Sequence, residues 1–405
     1  MNLSRFLFIF FISLHGYAQT EIDGKVITAA GPLQNATVYL NNTTIGSITD
    51  KAGNFRLRVP EGTYELIVSY VGFTTHQETF STNSYIEPFV IELTEDSNVL
   101  DEVVLKPRYD SLRKYHLMAF HESFFGRAAT AKSCRILNEN VLQFDYDART
   151  NVLKAEATAP LKIINESLGY EIEYDLITYT LTTNALAYLG RTKFKEAQGG
   201  KAKQKKWIKQ RKKAYLGSQH HFVKSLRAHR LKEDGFIVHQ FNRIPNPQRP
   251  TDAQLNYARK YIKNYKGNYD FSKNIKVPKT KIDSMILAVR KSSLPKTIDQ
   301  LYKKNVPYKD MMYSVGNDSI LKFDNFLSVI YTKALEEPNY HQSPFQRKRK
   351  KRGPQTSAVT LLTEQATLDP SGDIINPLDI LVDGYWGFTG FAQALPLDYT
   401  LPEKE

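Results

Sequence analysis

Residues 21–105 carry short β-type segments separated by turn-forming residues, and this pattern constrains the fold more than any other feature of the chain. Gly, Pro, Asn and Asp, which tolerate turn geometry, recur between the segments. Alternation along 64–70 predicts a strand with Tyr64 and Tyr70 on one face and Ile67 on the other. Short strands at such spacing predict an all-β sandwich. The candidate strands are 22–28, 37–41, 55–59, 64–70, 74–80 and 86–93.

The same segment contains a series of turn and strand motifs, which are Gly24-Lys25-Val26, Pro32-Leu33, Ala36-Thr37-Val38, Thr49-Asp50-Lys51-Ala52-Gly53-Asn54-Phe55, Pro60-Glu61-Gly62-Thr63-Tyr64 and Tyr70-Val71-Gly72-Phe73. In this order they resemble the carboxypeptidase regulatory-like domain. The resemblance implies a seven-stranded, prealbumin-like sandwich over residues 19–105 that serves as an interaction or spacer domain. It implies no peptidase activity, because the domain holds no zinc ligands in the carboxypeptidases that carry it. The segment 100–105 is similar to the tail of this module in TonB-dependent outer-membrane receptors of Bacteroidetes.

The first eighteen residues have the composition of a secretory signal. Arg5 precedes an apolar run over 6–14, and Ala18 lies directly before the expected cleavage point. We therefore expect residues 1–18 to be removed from an exported chain that is periplasmic or associated with the outer membrane. No later run of about twenty apolar residues predicts a transmembrane span. The single cysteine, Cys134, has no disulfide partner within the chain and is expected to be buried.

Residues 106–405 predict an α+β region, in one domain or in two with a break near 240–280. Helical periodicity covers 110–125, and β-type alternation covers 140–182 and 320–331. A basic helical stretch at 202–231 is expected to break at Gly217. Phe124-Phe125-Gly126, Ala214-Tyr215 and His221-Phe222, among other motifs, resemble secreted Bacteroidetes proteins that couple a carboxypeptidase regulatory-like domain to a family-specific region. That resemblance implies kinship and no particular activity.

The histidines do not form a recognisable metal or catalytic motif. His121-Glu122 begins like a zinc-protease helix, but Phe125 occupies the position of the second histidine. His220 and His221 are adjacent, so their rings are expected to point to different sides of their element. Gly217-Ser218 lacks the flanking residues of a nucleophile elbow. We expect no metal, no cofactor and no catalytic residue.

The loops near the C-terminus contain paired carboxylates, Asp369 with Asp373 and Asp379 with Asp383. Two carboxylates at a suitable distance are what glycoside hydrolysis requires. Because these pairs stand among Pro and Gly residues, we expect them to form turns and caps.

The charge of the chain is strongly asymmetric. Residues 19–105 contain 12 acidic and 4 basic residues, whereas the whole chain has a net charge of +13. Residues 197–232 contain twelve Lys or Arg and no acid, and a second basic run covers 347–352. Such density requires solvent or an anion to neutralise it. The candidate anion contacts are Lys205, Lys206, Lys209, Arg211, Lys212, Lys213, Arg347, Lys348, Arg349, Lys350, Lys351 and Arg352.

These features predict a non-enzymatic cell-envelope protein that binds or scaffolds. Its partner would be an envelope protein, an anionic lipid or an acidic glycan, and nucleic acid is not expected because the chain is expected to be exported. One alternative is a peptide or glycan hydrolase built around His221 or the 369–383 loops. The other is an accessory subunit of a TonB-dependent outer-membrane transporter.

Overall fold

The structure is a computed structural model that describes residues 19–85, 87–96, 112–316, 318–340, 351–369 and 371–402. The expected signal segment, the 100–105 motif and Arg347 to Lys350 lie outside these residues. No helix in the described part of the chain is long and apolar enough to cross a membrane.

The N-terminal segment forms two β-sheets that enclose an apolar core, and the expected sandwich is confirmed. One sheet has the order β2-β1-β5 with β8 parallel to β1, and the other has the order β4-β3-β6-β7. All six candidate strands occur, and two short ones join them. The strands are β1 Gln19–Thr28, β2 Gly31–Pro32, β3 Thr37–Leu40, β4 Gly46–Ile48, β5 Asn54–Pro60, β6 Thr63–Ser69, β7 His76–Ser81 and β8 Phe89–Glu92.

The alternation predicted for 64–70 is only partly right. Tyr64 lies in the sandwich core as expected, but Tyr70 follows the end of the strand and is exposed. Ile67 lies on the outer face, where a residue is usually half-exposed, and yet it is completely buried. Its cross-strand partner Tyr39 is also buried. The outer face of this sheet is therefore covered by another part of the chain.

The rest of the chain adds three further sheets and seven helices to the described structure, as an α+β region should. A six-stranded sheet has the order β10-β11-β13-β12-β9, with β14 on β13; a five-stranded sheet has the order β16-β15-β19-β20-β22; a small sheet has the order β17-β18-β21. Its strands are β9 Cys134–Ile136, β10 Leu142–Asp147, β11 Val152–Ala157, β12 Leu161–Asn165, β13 Tyr170–Leu181, β14 Leu186–Glu196, β15 Phe236–Pro245, β16 Thr297–Lys303, β17 Met312–Val315, β18 Asp318–Leu321, β19 Phe326–Leu335, β20 Pro354–Leu361, β21 Ala366–Leu368 and β22 Ile380–Gly384. Its α-helices are α1 Arg113–Phe125, α2 Lys201–Tyr215, α3 Gln219–Arg227, α4 Leu231–Asp234, α5 Asp252–Lys263, α6 Lys281–Lys291 and α7 Tyr385–Thr389.

Of two predictions about secondary structure, one is confirmed and the other is wrong. The basic helical stretch breaks at Gly217 as expected, between α2 and α3. Gly217 has φ +87°, and a Cβ there would lie 2.6 Å from the ring of Tyr331. The β-type stretch predicted at 320–331 is divided between β18 and β19, which belong to different sheets. Asn325, with φ +60°, turns the chain between them.

The segment 246–296 is an insertion at the tip of the β15–β16 hairpin. Pro245 and Thr297 pair across the two strands, and the amide of Asn246 donates to the carbonyl of Lys296 at 2.9 Å. The insertion contains α5 and α6 and has a small core of its own around Ile282 and Ile286. We call it the helical lobe. The domain break predicted near 240–280 stays a prediction.

The sandwich is joined to the α+β region by hydrogen bonds from backbone amides to backbone and side-chain oxygens. In the turn after β3, the amide of Asn42 donates to the carbonyl of Thr192 in β14 at 2.7 Å, and the amide of Thr192 donates to Oδ1 of Asn41 at 2.7 Å. The amide of Thr44 donates to Oδ1 of Asp398 at 3.0 Å. Beside this joint, the ammonium of Lys193 lies 5.7 Å from the ring of Tyr39. These contacts explain why the outer face of the sandwich is buried.

Asn41→Ala should destabilise this joint. Thr192 is 2% exposed, so the substitution leaves its amide buried and unpaired, at a cost of about 1–3 kcal/mol. A lower melting temperature and faster proteolytic release of residues 19–96 are expected. Asn83→Ala is the matched control, because Asn83 is an exposed residue of the same sandwich. Equal melting temperatures for the two variants would show that the joint contributes nothing to stability.

Candidate anionic contact surface

Helix α2 is fixed to the six-stranded sheet by one face. Trp207, Arg211, Ala214 and Tyr215 are buried there. The indole Nε1 of Trp207 donates to the carbonyl of Glu166 at 3.0 Å. The helix therefore sits on a packed support, although most of its side chains are charged.

A glycine makes the close approach of Trp207 possible. Gly169 has φ +69°, and a Cβ at this position would lie 2.2 Å from the indole ring. Only glycine combines this conformation with the absence of a side chain. The turn between β12 and β13 is thus shaped to receive the tryptophan.

Arg211 is an internal residue of this support. Its guanidinium donates to the carbonyls of Leu168 and Gly169 at 2.7 and 3.0 Å and to Glu196 at 2.5 Å. It also stacks on the ring of Tyr170, with 4.0 Å between the guanidinium carbon and the ring centroid. Because these contacts use the whole group, Arg211 does not belong to the exposed set in which the sequence pattern placed it.

The opposite face of α2 consists of exposed lysines. At 3.6 residues per turn, six of them lie within an arc of about 140°, and the four buried residues lie within about 100° on the other side. We call these six the lysine face. Its members are Lys201, Lys205, Lys206, Lys209, Lys212 and Lys213.

Two adjacent glutamates contact the ends of the two basic runs, one through its carboxylate and the other through its backbone carbonyl. Nζ of Lys213 lies 3.2 Å from Oε1 of the buried Glu337, whose other oxygen accepts the amide of Ala129 at 2.9 Å. Nε of Arg352 donates to the carbonyl of Glu336 at 2.6 Å. Since Glu336 and Glu337 are neighbours, the end of α2 and the described end of the second run lie side by side. Lys351 is exposed next to Arg352.

The histidine pair is packed inside the protein. His220 Nε2 lies 2.8 Å from the carbonyl oxygen of Ser371, and the amide of Gly217 donates to Nδ1 of His221 at 3.1 Å. Burial lowers the pKa of His220 to about 3 and that of His221 to about 4. His221 also contacts the rings of Tyr215 and Phe236. The nitrogens of the two rings have different hydrogen-bond partners, although both rings contact Tyr215.

The prediction that the paired carboxylates form turns and caps is confirmed for the first pair. Oδ1 of Asp369 accepts the amide of Ser371 at 2.6 Å, and Oδ1 of Asp373 accepts the amide of Ile374 at 2.8 Å. The second pair differs. Asp379 accepts the side-chain amide of Asn376 at 2.7 Å, and Asp383 lies in strand β22, 3.5 Å from Arg243.

The two remaining features are the single cysteine and the possible metal ligands around His121. Cys134 is 6% exposed, and burial raises its pKa to about 12, so the expected burial is confirmed. His121 lies 2.9 Å from Glu139. Among the residues with described positions, His, Cys, Asp and Glu form no group of three or more that could hold a metal ion.

Sequence reasoning missed the anchoring role of Arg211 and of the Glu336–Glu337 pair. A signal for each existed in the sequence. Arg211 is the single arginine among the basic residues of α2, and arginine is preferred where a cation must be buried with several acceptors. The two glutamates shortly precede the second basic run.

The N-terminal module belongs to a known class of domain. A family model described as the CarboxypepD_reg-like domain matches residues 22–105. The chain therefore carries a carboxypeptidase regulatory-like domain, as its motifs predicted. The domain covers only the sandwich and its C-terminal extension.

Among particular proteins, the chain is similar to the TonB-dependent receptor SusC of Bacteroides thetaiotaomicron. The two are 32% identical over 97 residues, which are 24% of this chain and 9% of the receptor. The chain thus matches only a small part of that receptor's length.

Two solved structures are also similar. A type II cohesin-X-dockerin complex from Acetivibrio cellulolyticus is 18% identical, with a TM-score of 0.16, over 19% of this chain and 58% of the other. A DUF3823 family protein from Bacteroides ovatus is 11% identical, with a TM-score of 0.16, over 45% of this chain and 83% of the other.

Arg211→Met should destabilise the protein. The change removes the guanidinium donor to the carbonyl of Leu168 and one of the two donors to the carbonyl of Gly169, and it leaves Glu196 without its arginine, at a cost of about 2–3 kcal/mol in the free energy of unfolding. Lys212→Met is the matched control, because Lys212 is the exposed neighbour, and it should change stability by less than about 0.5 kcal/mol. Denaturant titration measures both. A smaller loss for Arg211→Met than for Lys212→Met would refute the internal role of Arg211.

Asp373 should make stability depend on pH. Burial raises its pKa from 3.8 to about 6, so the folded chain holds this proton more tightly than the unfolded chain. The resulting stabilisation is complete below the unfolded pKa and is lost as pH rises through the folded pKa. Asp373→Asn should therefore gain stability over the parent chain between about pH 4 and about pH 7. Thermal unfolding at both values tests this, and a constant difference would contradict it.

Proposed function

We propose that this protein is a non-enzymatic component of the cell envelope that binds an anionic membrane surface through the lysine face of α2. The observation that carries the proposal is the division of this helix. One face is buried on the six-stranded sheet, and six lysines stand together on the other.

Helix α2 is held in place although the lysines on its exposed face repel one another. Like charges this close destabilise a free helix, but the buried contacts of Trp207 and Arg211 hold α2 in place. The contacts of Lys213 with Glu337 and of Arg352 with Glu336 bring Lys351 and Arg352, the described end of the second basic run, next to the end of α2. Because the backbone of α2 is already fixed, binding to a flat anionic surface would order only the lysine side chains.

Electrostatics sets the strength of this contact. Each lysine near an anionic bilayer contributes about 1 kcal/mol of attraction. Salt screens the attraction beyond a Debye length of about 10 Å at 0.1 M. Binding should therefore be strong in low salt and weak in high salt.

In this proposal the sandwich is a fixed platform. Its acidic composition and its joint to β14 suit a module that faces away from the membrane and meets other envelope proteins. Export to the periplasm or the outer membrane is part of the proposal, and the composition of residues 1–18 supports it.

A role as an accessory subunit of a TonB-dependent transporter is the second candidate, and the similarity to SusC favours it. The lysine face distinguishes the two. A stable complex with such a receptor that persists after charge reversal of α2 would support the transporter role in place of membrane binding.

Charge reversal tests the membrane contact. Lys205→Glu combined with Lys206→Glu should lower the partition of the purified chain onto phosphatidylglycerol vesicles by at least about tenfold in low salt, because two attractions become repulsions. Sedimentation with the vesicles measures this partition. Vesicles of phosphatidylcholine alone should bind neither protein.

The matched control carries the same charge change on other elements. Lys51 and Lys322 are exposed outside α2, so Lys51→Glu combined with Lys322→Glu should reduce binding far less. Equal losses for the two double variants would mean that net charge alone, and not the lysine face, governs binding.

A further inference from the structure

The helical lobe carries a row of three tyrosines along α5 and the residues after it. Tyr257, Tyr261 and Tyr265 are spaced one helical turn apart, with ring centroids separated by 6.4 and 6.3 Å. The planes of neighbouring rings differ by 32° in both pairs. Tyr257 is 53% exposed and Tyr265 is 36% exposed. Tyr261 between them is half-buried and packs against the small core of the lobe. The rings thus form a continuous, gently turning strip whose two end rings are the most exposed.

The strip is held in shape by its surroundings. The buried side of α5, with Leu255 and Ala258, faces the protein interior. The ring of Tyr265 lies against Gly267, where a Cβ would be 2.6 Å from it. A capping box at Thr251 fixes the start of the helix. The rings are therefore arranged before any ligand arrives.

Cations surround the strip. Nζ of Lys281 lies 5.0 Å from the ring centroid of Tyr261 and 5.7 Å from that of Tyr257. Lys260 and Lys266 line the same groove, which has a volume of about 400 Å³. Residues 251–296 contain 11 basic and 3 acidic residues, a balance of +8. The groove thus combines flat apolar surface with positive charge.

We infer that this groove binds an acidic polysaccharide chain, a site separate from the lysine face. One side of a pyranose ring carries axial C–H groups that pack flat on an aromatic ring, and the phenol hydroxyls suit its hydroxyl groups. Successive sugars of an extended chain would lie along successive tyrosines. Lys260, Lys266 and Lys281 would pair with carboxylate or sulfate groups on the sugars.

Two other occupants fit the groove less well. Single-stranded nucleic acid stacks its bases on aromatic side chains, and it would also find the cations. The tyrosine rings form one strip without separate slots for flat bases, which favours sugars. An anionic bilayer would attract the lysines, but a bilayer that also took up the aromatic strip would need aliphatic side chains beside it that can insert. Those of α5, Leu255 above all, are turned inward.

The position of the lobe suits a binding site. It projects from the tip of the β15–β16 hairpin, and its ends meet at Asn246 and Lys296. Arg249 Nε also donates to the carbonyl of Leu294 at 3.1 Å, across the same neck. A ligand bound at the tyrosines would therefore contact a lobe whose attachment to the sheet is held by hydrogen bonds.

Calorimetric titration of the full purified chain with a galacturonic acid hexamer tests this inference. The parent chain should bind the hexamer, and a neutral cello-oligosaccharide of equal length should bind more weakly. Tyr257→Ala should weaken binding of the acidic hexamer by about tenfold. Tyr257→Phe should retain it, because the stacking surface remains. Tyr313→Ala, which removes a comparably exposed tyrosine from β17, should have no effect.

Several results would overturn the inference. They are no binding of the hexamer by the folded parent chain, equal binding by Tyr257→Ala, or tighter binding of single-stranded polythymidine than of the hexamer. The Lys205→Glu and Lys206→Glu variant should bind the hexamer normally, and Tyr257→Ala should bind anionic vesicles normally. The two sites can therefore fail independently.

Discussion

The joint between the sandwich and β14 is the constraint on which the arrangement of the molecule depends. The turn after β3 pairs with a strand about 150 residues further along the chain, and the amide of Leu397 donates to the carbonyl of Asn42 at 2.8 Å. Three remote segments are thus tied at one place. Because every one of these contacts uses a backbone amide as its donor, they require the segments to come together correctly and tolerate little displacement.

This joint changes the meaning of the N-terminal domain. A spacer on a flexible linker would leave both outer faces in solvent, whereas here Ile67 and Tyr39 are buried and the pKa of Tyr39 is raised, chiefly by burial. Asp175, Glu173 and Arg191 of the α+β region stand close enough to influence that hydroxyl. The sandwich is therefore a fixed part of the structure, and any surface that it presents has a defined orientation relative to α2.

Local patterns in the sequence were sufficient for much of the fold. Alternation identified the strands of the sandwich and the long strand β13, because a half-buried strand must alternate whatever it packs against. Gly217 marked the break after α2, because its backbone conformation excludes other residues. The domain family was also evident from the turn motifs, which depend on residues that are adjacent in sequence.

The remaining features depend on contacts between distant residues, which composition does not reveal. Ile67 is buried only because β14 and its neighbours cover the sandwich. Arg211 differs from its lysine neighbours in sequence only by its residue type, and the carbonyls of the turn between β12 and β13 give it a separate role. Charge density pointed to the segment that holds the lysine face, but the division of α2 into a buried side and an exposed side depends on the sheet beneath it.

The closed neck of the helical lobe has an evolutionary consequence. Since β15 and β16 already meet at Pro245 and Thr297, the sheet is complete without the fifty or so residues between them. At such a position the lobe can become longer, become shorter or be replaced during evolution while the strands of the sheet keep their register. Relatives of this chain should then differ most in what they display at this hairpin tip and least in the strands that carry it.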